Sequence, residues 1–189
     1  MPNLPISQLP ELTAITSNAE FAIAQGGTTY RVKAGFASSG NLHGAFHSEV
    51  TQTIGVANTE YAMSASTVDY AEGVTMVDSS KITVSSGGTY NLQFSSVFKK
   101  LQGGTIEYVS VWPKVNGVNV DWSNTDVTMA NNNELIVAAW NFVLELNDGD
   151  YVQLFWSSTS TQMNMVAIAP QLTPTRPGTP SVIMTLTQI

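Results

Sequence analysis

Turn signals come too often in this chain for a helix of any length to form. From Gly44 onward, Gly, Asn, Asp and Pro recur at short intervals, and the runs between them are of strand length. Tyr90, Leu92 and Phe94 alternate with Asn91, Gln93 and Ser95, the pattern of a half-buried strand. Gly87-Gly88 and Gly103-Gly104 read as turns. Asn116-Gly117, set between Lys114-Val115 and Val118-Asn119, is the strongest hairpin signal in the chain. Residues 46–53, 73–77, 81–84 and 105–112 are further strand-like runs. About eight to ten such strands, with no helical period beyond one or two turns, predict an all-β sandwich or jelly roll.

The last third carries a second message. Residues 134–146, 151–157 and 181–189 are strand-like, and the turn Asn147-Asp148-Gly149-Asp150 joins the first two. In residues 151–156 one side holds Tyr151, Gln153 and Phe155, and the other holds Val152, Leu154 and Trp156. A half-exposed antiparallel strand shows one polar face. A strand apolar on both sides needs cover on both, and in an all-β protein the second cover is often another subunit. The run 181–189 ends the chain in an apolar strand, which is expected to lie within a sheet. Both features predict an oligomer, and assembly rather than chemistry. Pro170, Pro174, Pro177 and Pro180 mark a stiff crossing loop before the last strand.

Composition narrows the partners. The length of 189 residues suits one good-sized domain plus an extension. Only 11% of residues are charged and the net charge is −7, with the seven basic residues scattered, which argues against nucleic acid. There is no cysteine, so disulfides, thiolate metal sites and cysteine nucleophiles are excluded. No run of about 18 apolar residues offers a membrane span. The start Met1-Pro2-Asn3-Leu4-Pro5 lacks the basic and apolar regions of a secretory signal, so synthesis in a cytoplasm is expected. Residues 1–43 read as an arm. Pro2, Pro5 and Pro10 punctuate it, residues 21–24 and 28–33 flank Gln25-Gly26-Gly27 as a small hairpin, and Ala37-Ser38-Ser39-Gly40-Asn41 forms a linker. Ile6, Leu9, Leu12, Phe21 and Tyr30 are the arm's expected anchoring residues.

Chemistry finds little to work with. His43 and His47 are four apart, a metal-binding spacing on a helix, but the segment alternates as a strand and offers no evident third ligand. Asp148 with Asp150, and Asp121 with Asp126, are loop carboxylates of the kind that hold calcium, and equally ordinary turn residues. Glu107, Glu134 and Glu145 supply carboxylates with nothing to pair them in a cleft, and no G-x-S-x-G elbow or Walker lysine occurs. No catalytic residue, metal or cofactor is expected. Trp140 and Trp156 lie in apolar runs and read as packing. Trp122 differs, because Val120-Asp121-Trp122-Ser123-Asn124 is a polar loop. An indole beside Asp121 and Asn124 can stack on a sugar whose hydroxyls those residues bind; the alternative is a ring folded back under its loop.

Five stretches in order resemble the C1q/TNF-like jelly roll, in the version found in phage and environmental virion proteins. They are GTYNLQFS (88–95), KVNGVNV (114–120), AWNFVLELNDGD (139–150), YVQLFWSS (151–158) and PTRPGTPSVIMTLTQI (174–189), and the likeness spans roughly residues 44–189. The arm, with Ile6-Ser7-Gln8-Leu9-Pro10 and its Gly-Gly hairpin, resembles the leader of phage fibre and head-decoration proteins. The resemblance implies a ten-strand jelly-roll sandwich over 44–189, behind an extended N-terminal arm over 1–43. It implies a homotrimer with one sheet, including the C-terminal strand, around the three-fold axis. Phe94, Tyr151, Gln153, Phe155, Met184 and Leu186 are the expected trimer interface. The implied function is a phage virion structural protein: a trimeric knob or decoration on the virion surface, made in the host cytoplasm and attached by its arm to capsid, collar or tail. The alternative is a receptor-binding tip that touches a host surface glycan or protein, with Asp121, Trp122 and Asn124 as glycan contacts.

Overall fold

The computed structural model describes residues 20–33, 42–103 and 105–189, in two units that divide between residues 40 and 41. In the first unit, β1 (Glu20–Gln25) and β2 (Thr28–Lys33) form an antiparallel hairpin, with Gln25 opposite Thr28. Gly26 and Gly27 have φ of 59° and 80°, the left-handed pair that a tight two-residue hairpin turn requires. Ile6, Leu9 and Leu12 lie outside the described residues. Phe21 falls in β1, and Tyr30, in β2, is exposed.

The second unit begins with β3 (His43–Ser48), β4 (Gln52–Thr53), β5 (Tyr61–Ala62), β6 (Thr67–Glu72), β7 (Val74–Val77) and β8 (Lys81–Val84). There follow β9 (Gly88–Lys100), β10 (Glu107–Val115), β11 (Val118–Asn119), β12 (Thr125–Met129) and β13 (Leu135–Leu146). The chain closes with β14 (Tyr151–Ser158), β15 (Met163–Met165), β16 (Gln171–Leu172), β17 (Thr175–Arg176) and β18 (Val182–Gln188). His43 already pairs with Glu72 and Thr187, so the sheet takes in a residue that the sequence assigned to the arm.

Among the described residues these strands form two seven-stranded antiparallel sheets, with β16 and β17 as a separate ribbon. The first sheet runs β4-β15-β9-β18-β3-β6, with β13 also on β9. The second runs β11-β10-β14-β8-β7, with β12 on β10 and β5 on β14. The architecture is all-β, consistent with a β-sandwich. Apolar residues of both sheets share one buried cluster: Phe46, Leu92, Phe98, Met184 and Leu186 from the first, and Ile82, Val111, Leu154 and Trp156 from the second. Phe98 and Trp156 meet with ring centroids 5.5 Å apart. β9 alternates as its sequence demands, with Tyr90, Leu92 and Phe94 buried and Gln93 exposed.

The Asn147–Asp150 turn does not close a hairpin. β13 pairs with β9 in the first sheet and β14 with β10 and β8 in the second, so the turn carries the chain from one sheet to the other. The same holds at Gly87-Gly88, between β8 and β9, and in the connection from β9 to β10. Asn116-Gly117 does close a hairpin, between β10 and β11, with φ of 51° and 80°.

The second face of β14 is covered in part by its own chain. Lys114 Nζ lies 4.2 Å from the centroid of the Phe155 ring, which also stacks near Trp112 at 6.3 Å. Lys81 Nζ sits 5.5 Å from the Tyr151 ring centroid, and Gln153 Nε2 donates to Ser80 Oγ at 2.9 Å. Lys114 is itself held by Glu60 at 2.6 Å. Cation–π contacts contribute about 0.5–1 kcal/mol each when exposed. Basic side chains of the same chain thus lie over part of the face of β14 that the sequence left for a second subunit, and Tyr151 and Phe155 are half-buried there.

Candidate functional site

Residues directly opposite on antiparallel strands point to the same face. On β10 the buried Val109 and Val111 point inward, which leaves Ser110 and Trp112 on the outer face of the second sheet. The pairing sets Ser157 beside Ser110, Phe155 beside Trp112, and Asp126 on the other side of Ser110. Over this floor runs the loop between β11 and β12. Together they line a shallow, open hollow of about 550 Å³, with Trp112, Asn119, Asp121, Trp122 and Asn124 among its lining residues. That is within the range of small-ligand sites, about 300–1,000 Å³.

Hydrogen bonds fix the hollow's walls. Trp112 Nε1 donates to Asn119 Oδ1 at 2.9 Å. Asp126 Oδ1 accepts from both Ser110 Oγ (2.6 Å) and Asn124 Nδ2 (2.9 Å). Ser123 Oγ donates to the Val120 carbonyl at 2.6 Å and closes the turn. Trp122 stands at φ 60° and is fully exposed. Positive φ in a bulky residue is rare, and the left-handed conformation costs about 1–2 kcal/mol. Packing returns nothing for it, so Trp122 is neither core nor a ring tucked under its loop. Asp121, Trp122 and Asn124, singled out in the sequence, come together here. Trp112, Ser110 and Asn119 join them, with Asp126 bonded to Ser110 and Asn124 behind the lining, and only the β10–β12 register reveals that.

The six expected interface residues do not share a surface. Phe94, Met184 and Leu186 point into the core of their own chain and are buried there. Tyr151, Gln153 and Phe155 lie on the outer face of the second sheet, under Lys81, Ser80 and Lys114. The exposed apolar surface is elsewhere, on the outer face of the first sheet. Val137 lies opposite Val97; Ala139 continues into Ser95, Ile183 and His47; Asn141 continues into Gln93, Thr185, Ala45 and Tyr70. No Lys, Arg, Asp or Glu stands in these three rows. Leu135, Val137 and Val143 on β13 are 50%, 63% and 60% exposed.

The remaining ionisable candidates have local partners. His43 stacks on Tyr70 with centroids 4.9 Å apart. His47 Nδ1 lies 2.9 Å from Asp69 and its Nε2 3.5 Å from Glu49. The Asp69 hydrogen bond, outweighing burial, raises its pKa above the ordinary histidine value. The two histidines are four residues apart on one strand, about 13 Å, too far to share a metal. Asp148 accepts from the Gly87 N–H, and Asp150 from the Asn147 N–H and the Asn116 amide. These carboxylates work as turn acceptors. Glu107 is held by Thr159 and Thr105 hydroxyls, which lower its pKa; Glu134 by the N–H groups of Ala130 and Asn131; and Glu145 by Thr89. Each carboxylate is engaged separately, and the three form no pair.

No protein-family model matches the chain, and no curated protein matches it in sequence.

Proposed function

We propose that the chain is a virion structural protein of a phage: a trimeric jelly-roll knob or decoration, held on the particle by its N-terminal arm. The observation that carries the reading is the outer face of the first sheet, without Lys, Arg, Asp or Glu in its three central rows and largely apolar along β13. Charge depletion of this kind marks the centres of protein interfaces. Contiguous exposed apolar surface on a monomer invites association. The face includes β18, the C-terminal strand, as the resemblance to C1q/TNF-like trimers implies. Strand order supports the jelly roll: β3-β18-β9-β13 opposes β7-β8-β14-β10-β12, and successive long strands change sheet. The division near residue 40 fits an arm that docks on capsid, collar or tail.

Removing residues 1–40 tests the attachment. The shortened chain is expected to keep its melting temperature and its oligomeric state but to be absent from purified particles. Normal occupancy on particles would place the anchor in the sandwich instead. A second reading, a tip that touches the host surface, is favoured by one observation, the fully exposed Trp122 at the edge of an open hollow.

A further inference from the structure

We propose that the open hollow lined by Trp112 and Trp122 binds a neutral saccharide. The sugar's apolar ring face stacks on Trp122, and its hydroxyls bond to Asp121, Asn119 and Asn124. This gives the host-contact reading its ligand chemistry and rests on that reading only for its biological meaning. It is independent of the trimer, because the hollow and the apolar face lie on opposite sheets.

Four observations carry it. Trp122 is a strained, fully exposed aromatic with no packing role. Trp112 lies in the same hollow, its indole fixed by Asn119. The polar groups are positioned yet have capacity left. Asn119 accepts with Oδ1 and keeps its N–H donors; Asn124 donates to Asp126 and keeps its carbonyl; Asp121 has no side-chain partner among the described residues. Finally, the lining residues are two tryptophans, one valine and otherwise Ser, Asn and Asp, with no lysine or arginine. An aromatic face beside fixed amide groups and an unpaired carboxylate suits a polyhydroxylated ring. The lack of any cation, the free Asp121 and the net charge of −7 disfavour sialic acid, uronate and phosphate. A purely apolar ligand would leave these polar groups unpaired.

The test uses the full chain and saturation-transfer NMR with methyl glycosides of glucose, galactose, mannose and N-acetylglucosamine, alongside an array of neutral and sialylated oligosaccharides. Transfer to the ring C–H protons of at least one neutral glycoside is expected. It should vanish in Trp122→Gly and fall at least tenfold in affinity in Asp121→Ala. Trp122→Gly also separates function from structure. Glycine accepts positive φ without strain, so this variant should melt no lower than the parent while losing the sugar. The proposal is overturned if no neutral glycan binds, if binding survives Trp122→Gly, or if sialylated ligands bind better. Sugar binding without adsorption to host cells would uphold the site and overturn the host-contact reading. Adsorption unaffected by Trp122→Gly, with no sugar bound, would do the reverse and point to a protein receptor.

Discussion

Asn116 ties the β10–β11 turn to the start of β14. Its amide donates to Asp150 Oδ1 at 2.7 Å, and its carbonyl accepts the Tyr151 N–H at 3.1 Å. It does so at φ 51°, which asparagine adopts more readily than alanine. Asn116→Ala should lower stability by about 1–2 kcal/mol, from the lost hydrogen bonds and the left-handed strain. Asp150 reports the same contact. The Asn147 N–H first, and then the Asn116 amide, hold its pKa below the ordinary carboxylate value. Since the folded pKa is depressed, its contribution to stability is present above the unfolded value of about 3.9 and is lost as pH falls through the folded one. NMR titration should show Asp150 ionising below the usual range, and Asn116→Ala should move it upward. An unchanged titration and an unchanged denaturation midpoint in the variant would remove Asn116 from this role.

β18 is the element on which the first sheet depends. It pairs with β9 on one side and β3 on the other, and Met184 and Leu186 are buried in the common core. Deleting residues 185–189 removes Leu186, whose burial stabilises by about 1.5–3 kcal/mol, and unpairs two ladders at once. A typical domain holds only about 5–15 kcal/mol in total. The truncated chain is therefore expected to be insoluble or unfolded, whereas a tag at Met1 should leave melting unchanged; soluble yield and thermal denaturation check both. A deletion that melts within a few degrees of the parent would place β18 outside the core sheet. The strand and its burial were legible in 181–189 because an apolar run needs cover. Which sheet each strand joins was not legible. Gly87-Gly88 and Asn147–Asp150 specify a reversal locally, but tertiary pairing decides whether the next strand stays or crosses.

At the scale of the whole molecule, the proposed oligomer rests on the outer face of the first sheet, not on β14, to which the sequence pointed. The sequence pointed to β14 because both its faces are apolar, yet the ammonium groups of Lys81 and Lys114 and the Trp112 ring of the same chain lie against part of its outer face. β13 carries the same signal. Leu135, Val137, Ala139 and Val143 form one face, while Ile136, Ala138, Trp140, Phe142 and Leu144 form the other. That double pattern could have marked the outer face; only the register with β9, β18 and β3 shows how far it extends. The candidate sugar site was legible in part. A tryptophan in a polar loop is visible in sequence, but the floor under it comes from strands paired across long separations. The most direct test of the account is the mass of the full chain in solution by analytical ultracentrifugation, with and without Val137→Lys. Val137 is 63% exposed, so a lysine there should leave the single chain's fold intact. The parent is predicted to sediment at three times its 20.3 kDa chain mass, and the variant at the single-chain mass. A parent that is monomeric at micromolar concentration, or a variant that remains trimeric, would contradict an interface on the first sheet.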